Sequence, residues 1–472
     1  MKLWKSLALT AMMTQLSMGA TGAIPAGPLA QSTEPQETFR AQPILPLPGG
    51  LDDVLTFNSN SPELVLAPGI LLSAFPPDGM ASPEAHLSVP LGDRFDLFAH
   101  HIAKATLPED DPERLRTLYL GIIVKNPGTE PVTVHILQGA SYLSQPDAPF
   151  IDLPAIVPNP DSAVYAGPGS RATDMVLRGK RQADLPASIE IPPGEHRMLL
   201  NLPIPIAPFD PPINGRSTFL RLRSTGSVYV ASLADFATVD DGGNEQPPTL
   251  EHWRNLLVTC QLSSPRDRAP TPPDKPGGII YGRVAGIARG SQWRGTLTDE
   301  GGDRLTIPAP GDYVSYGLSL LRGGRMGTGQ NQTAEMIARY PDTAYEAHGN
   351  YAIQYALKLP LRNPSDRPRT VHLSLETAIK FDQFTGGVIT GLRFFDPLPN
   401  RTFFRGTVRV RYTDADGRPH TRYTHLVQKR GQRDGRLATF TLPPNSHQFA
   451  SVDFLYPPDA SPPQMLTIFT AE

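Results

Sequence analysis

Arg405, Arg409 and Arg411, with Thr407 between them, fall at odd positions of one stretch, opposite Val408, Val410 and Tyr412. Alternate side chains of a strand share a face, so this spacing lines up a row of guanidinium groups. The return segment adds Arg422, and its end adds Lys429 and Arg430. A line of planar, permanently charged donors suits the carboxylates of an acidic polysaccharide. The plainer reading is a solvated strand face that discourages edge-to-edge pairing. Arg405, Arg409, Arg411 and Arg422 are the candidate binding residues, for an anionic glycan.

Other reactive types are arranged less suggestively. His100 and His101 are adjacent in "DLFAHHIAKA", and neighbours on a strand point to opposite faces, so they cannot chelate together. There is no H-E-x-x-H and no Cys/His cluster, so no metal is expected. "YAGPGSR" (Tyr165 to Arg171) lacks the lysine of a phosphate-binding loop and reads as a plain loop, and Ser170 is in no G-x-S-x-G elbow. The acidic stretches "DDGGNE" and "TDADG" lack the calcium-loop pattern and read as turns. In a β protein, spacing along the chain does not pair carboxylates, so no catalytic residue is assigned and no cofactor is expected.

The elements that must carry these residues are strands. The 472 residues include 52 prolines and 41 glycines, and proline at about twice its usual roughly 5% share nearly excludes long helices. One hairpin is written twice, 237 residues apart (126 to 363): "LGIIVKNPGTEPVTVHIL" from Leu120 and "LKLPLRNPSDRPRTVHLS" from Leu357. Asn126 and Asn363 open the turn, and His135 and His372 follow on the polar face of the return strand. A second echo matches Pro192, Pro193 and His196 to Pro443, Pro444 and His447, now 251 residues apart (196 to 447). The expectation is an all-β protein with very little helix. It consists of two tandem homologous β-sandwich domains, Ig-like or jelly-roll-like, at 46–262 and 279–472. A proline-rich linker at 263–278 joins them, and 24–45 is an extended proline-rich segment. One helix is expected, with Thr249 as N-cap and Leu250, Trp253, Leu256 and Leu257 on its apolar face.

Residues 1–23 have the layout of a secretory signal peptide: Lys2 and Lys5, an apolar run from Leu7 to Met18, then small residues up to Ala23. Removing them takes the net charge from −3 to −5, which argues against nucleic acid as a partner. No later stretch approaches the roughly 20 apolar residues of a transmembrane helix. Cys260 is the only cysteine, so no internal disulfide can form, and it reads as a small buried apolar residue.

The chain resembles a cyanobacterial family of exported proteins catalogued as domain of unknown function 3370. The resemblance rests on "FNSNSPELVLAPGILLSAFPPDGM", "FDLFAHH", "GASYLSQPDAPFIDLP", "YAGPGSR", "NGRSTFLRLRS", "YGRVAGIARGSQW", "RYPDTAYEAHGNYAIQYAL" and "VDFLYPPDASPPQ". It implies a periplasmic or extracellular setting, and it carries no activity or catalytic residues with it. The functional expectation is a non-enzymatic protein of the cell envelope or extracellular matrix that binds polysaccharide, its partner an acidic glycan or other envelope component. The alternatives are a periplasmic polysaccharide hydrolase or lyase and a structural partner of a surface or secretion assembly. A cleft holding two carboxylates would favour the enzyme, and an aromatic platform or arginine face without them would favour the binder.

Overall fold

The two copies fold alike, but neither is the hairpin expected: the strands before and after each Asn-Pro turn do not pair with each other, and each takes its own partners instead. In the first, strand Leu118–Lys125 leads into Val132–Leu143; in the second, Gln354–Asn363 leads into Arg369–Glu376. Asn126 is fully buried, and its Oδ1 accepts from the Gly128 amide (2.8 Å) while its Nδ2 donates to the carbonyls of Glu130 (2.7 Å) and Ile191 (3.0 Å). Asn363, also fully buried, repeats this: Oδ1 accepts from Ser365 N (3.1 Å), and Nδ2 donates to Arg367 O (2.8 Å) and Leu442 O (3.2 Å). The short asparagine amide supplies two N–H donors and an acceptor oxygen at once, which a hydroxyl cannot, and this suits asparagine to open both turns. The neighbouring strands agree as well. Lys125 pairs with His196 and Arg362 with His447, while Val132 pairs with Ile191 and Arg369 with Leu442.

This computed structural model describes residues 34–111, 113–382, 390–414 and 416–472. The signal-peptide reading of 1–23 lies outside them. Among the described residues 48% lie in strands and 5% in helices, two of them α-helices, in keeping with the proline content. No helix of the described residues is long and apolar enough to cross a membrane. Five strands share one order in each half. The first set is Ser188–Ile191, Val132–Leu143, Ile213–Phe236, Leu91–Lys104 and, parallel to the last, Leu55–Ser59. The second is Arg436–Leu442, Arg369–Glu376, Gln464–Thr470, Tyr313–Leu318 and, again parallel, Ile44–Leu45.

The fifth strand of the second set comes from the start of the chain. Within the segment read as extended, Gln36–Ala41 pairs with Gly391–Asp396 and Ile44–Leu45 pairs with Tyr313–Leu318. In exchange, Ala285–Arg289 pairs with Leu55–Ser59 and extends the first sheet. Strands from both sides of 263–278 therefore share sheets, and residues 35–472 form one compact unit. Residues 263–278 lie pinned to the surface: Ser263 N donates to Ile70 O (2.8 Å), and the Arg266 guanidinium grips both oxygens of Asp342 (2.8 and 2.9 Å). Each half keeps a large apolar core, and a smaller cluster with Phe98, Val176, Phe219 and Leu455 fills the seam between them.

The expected helix is α2, Leu250–Thr259, whose Thr249 side chain accepts from His252 N and whose Trp253, Leu256 and Leu257 are buried. Cys260 caps it, half-buried and with a free thiol. The helix α1, Ser170–Leu177, corrects the reading of "YAGPGSR" as a plain loop, since the last two residues of that stretch, Ser170 and Arg171, open it. Gly169 turns into it with φ of 76°, and Ala172, Val176 and Leu177 bury its apolar side in the seam.

Candidate functional site

The arginine row forms as its spacing predicts, on strand Thr402–Thr413, but its face is turned inward. Val408 and Val410 enter the core, and the opposite face lies against α1 and the first half. Arg409 Nη1 donates to the carbonyl of Leu177 (2.9 Å), and Arg409 and Arg411 share Asp453 (3.4 and 3.2 Å). Arg405 is ion-paired with Asp459. Arg422 does not belong to this row. It pairs in register with Val410, and cross-strand partners share a face, so it lies on the other side, 5.5 Å from the Tyr412 ring. The row is an internal contact, with Arg411 alone half-exposed, and offers no open surface for a glycan.

His372 behaves as its position predicts, with Nδ1 2.8 Å from the hydroxyl of its cross-strand partner Thr439. His100 and His101 do face opposite ways. His101 sits between Ser59 Oγ (3.0 Å) and Pro62 O (2.8 Å), fully buried. His100 turns into the seam, where its Nδ1 meets Ser217 Oγ at 2.9 Å and its Nε2 lies 3.6 Å from Glu63.

That seam holds a pocket of about 210 Å³, walled by Glu63, His100, Ser144, Phe150, Asn214 and Asp459. Glu63 is set by the sheet edge, where its carbonyl accepts from Ile102 N (2.7 Å). Its carboxylate is ion-paired with Arg283, which also approaches Asp267 (3.9 Å). Burial pushes the Glu63 carboxyl up, but the hydrogen bond and charge of His100 and the charge of Arg283 outweigh it and hold it below its usual range. For Asp459 burial wins: its carboxyl is held above the usual range despite Arg405. The Arg405 guanidinium in turn stacks 5.1 Å from the ring of Phe150, which is 62% exposed at the rim.

Two glycines let the chain close here. A Cβ on Gly167 (φ 79°) would sit 2.6 Å from Arg405 Cδ, and one on Gly169 (φ 76°) 2.4 Å from Pro458 Cδ. Behind the Glu63–Arg283 pair a second hollow of about 320 Å³ reaches His348 and Tyr351, whose phenol burial pushes up to about 12.

The pocket presents two carboxylates already matched by guanidinium groups, one imidazole edge and one aromatic face. Ser217 is buried behind His100 and is no nucleophile for a ligand there. Among the described residues no histidine, cysteine, aspartate and glutamate group could hold a metal ion. Spacing along the chain gives no sign of Glu63, Arg283 and Asp459, because the fold and not chain proximity brings them together. A signal was nonetheless present: each stretch that carries the family resemblance supplies a residue to this seam or to the hollow behind it.

Among solved structures, Lac15 from a marine microbial metagenome matches at 10% identity over 78% of this chain and 50% of that one, with a TM-score of 0.09. Pumpkin seed globulin matches at 10% identity over 87% and 86%, with a TM-score of 0.11. The coconut allergen cocosin matches at 9% identity over 88% and 87%, with a TM-score of 0.10. Likeness at this level carries no argument about fold or function. No curated protein matches the chain. The family model described as "Protein of unknown function (DUF3370)" matches residues 42–470, and the chain belongs to that family.

Proposed function

We propose that this is an exported, non-enzymatic β protein of the cell envelope or extracellular matrix, built from two homologous sandwich halves that close on a saccharide-binding pocket. The cyanobacterial, periplasmic or extracellular setting comes from the residues of the resemblance and the signal-peptide pattern. The observation that carries the binding reading is the pairing of charges in the seam. Glu63 and Asp459 face the pocket with Arg283 and Arg405 beside them, so the ligand need bring no charge of its own. Such a site favours hydroxyl groups, which can donate to carboxylate lone pairs while a ring lies on Phe150. The volume is below the roughly 300 Å³ lower end of drug-sized sites, which suits one sugar ring or a chain end.

Screening the purified protein against neutral and acidic oligosaccharides tests this. Retention of neutral sugars that Phe150→Ala weakens is expected. If no neutral saccharide is retained, or if Phe150→Ala changes nothing, the reading fails.

A second reading, a polysaccharide hydrolase, draws on one observation: the two carboxyls of the pocket are pushed in opposite directions, Asp459 up and Glu63 down. That is the relation expected of a general acid and its partner base. Release of reducing ends from a polysaccharide, abolished by Asp459→Asn, would favour it over simple binding.

A further inference from the structure

We propose that the open end of the hairpin made by Thr402–Thr413 and Pro419–Lys429, where Arg401 and Arg430 cap the rings of Phe395 and Phe403 near Lys380, is a second binding site, one for an acidic polysaccharide. Arg430 N donates to Arg401 O (2.8 Å), which brings the two side chains to one spot. The Arg401 guanidinium carbon lies 5.3 Å from the Phe403 ring centre; that of Arg430 lies 5.3 Å from Phe395 and 5.9 Å from Phe403. The Lys380 ammonium lies 5.8 Å from the centre of the Tyr281 ring, and burial first, then the charges of Arg430 and Arg401, press it below the usual range.

Like charges gathered this way repel, and among the described residues none of the three forms an ion pair. The nearby acids are engaged elsewhere or unpaired with them: Glu37 meets Arg393 (3.1 Å), Asp382 approaches Arg325 (4.0 Å), and the exposed Asp396 contacts none of the three cations. Contrast the seam, where Arg405 and Arg409 each have a carboxylate. The clustered cations of the hairpin end have no carboxylate of their own and are free to meet charge from outside.

The class of partner follows from the stacking. A guanidinium lying over a ring keeps its in-plane N–H groups free, and these suit the two oxygens of a carboxylate. Phe395 and Phe403 are half-buried under their caps and project no bare ring, which disfavours insertion into a lipid surface. A polymer carrying repeated carboxylates fits better than a lipid headgroup.

The test is retention of the full chain on polygalacturonate beads, with dextran beads and phosphatidylglycerol vesicles as the other arms. Binding to polygalacturonate alone, steeply weakened by salt, is expected. Arg401→Gln with Arg430→Gln should weaken it about tenfold, and adding Lys380→Gln should weaken it further, at an unchanged melting temperature. Wild-type retention by the triple variant overturns the proposal, as does stronger binding to the vesicles than to polygalacturonate. Neutral-sugar binding in the seam is a separate measurement and should be unaffected.

Discussion

Arg409 Nη1 lies 2.9 Å from the carbonyl oxygen of Leu177, so a strand of the second half holds the last turn of a helix from the first. A cation at a helix C-terminus meets the unsatisfied carbonyls and the negative end of the dipole. The same guanidinium pairs with the nearly buried Asp453. Arg409→Ala should therefore destabilise the protein by about 1.5–3 kcal/mol, because it leaves a buried carboxylate and a carbonyl short of a donor. Arg411 also reaches Asp453 but is half-exposed, and Arg411→Ala should cost under about 1 kcal/mol. Urea unfolding of the two variants checks this. Equal losses would mean that the helix contact contributes nothing.

The equivalent asparagines make a matched pair. Asn126→Ala and Asn363→Ala each strip a buried turn of its side-chain acceptor and of its donor to one turn carbonyl and one strand-end carbonyl. Each should lose about 1–3 kcal/mol, and the two losses should be alike. Thermal unfolding is the measurement. A loss at one site only would show that the two turns do different work.

Acid should loosen the fold well above the usual carboxylate range. Burial holds His101, His196 and His425 at about 4, against an ordinary 6.5. The unfolded chain then binds more protons than the folded one between those values, so stability is full above pH 6.5 and falls as pH drops toward 4. Glu63, with its carboxyl depressed, adds stability that is lost below its ordinary 4.5. Asp459 acts with the opposite sign, since its raised carboxyl takes up a proton more readily when folded. Urea midpoints at pH 7 and pH 5 should differ, with the lower at pH 5. Equal midpoints would contradict the buried neutral histidines.

Local signals were readable and partnerships were not. The doubled Asn-Pro turn and its alternating apolar residues identify four strands and their equivalence, but not that the two strands at each turn part to pair elsewhere. Thr249, followed by apolar residues at helical spacing, identifies α2. The period of two even chooses the correct face for Arg405, Arg409 and Arg411. What that face meets depends on α1, whose start is hidden because Gly167, Pro168 and Gly169 immediately precede it and suppress any helical pattern. Arg422 was misassigned because the face of a return strand depends on register, and register depends on the turn. Glu63, Arg283 and Asp459 come from three distant loops, and nothing in their local spacing announces that they converge.

The strand exchange bears on how the chain can be made. Ile44–Leu45 pairs beside Ser315 and Tyr316, in a strand whose other neighbour is Gln464–Thr470 near the end of the chain. A nascent chain emerging from its N-terminus must carry those early residues unpaired until Ser315 and Tyr316 have been synthesised. The first half is also incomplete until Ala285–Arg289 arrives. Neither half can be completed before residues from the other are available, and long-range pairings of this kind slow folding. If it is exported unfolded, this delay keeps the polypeptide loose enough to thread, because the last contacts close only when both ends are on the same side.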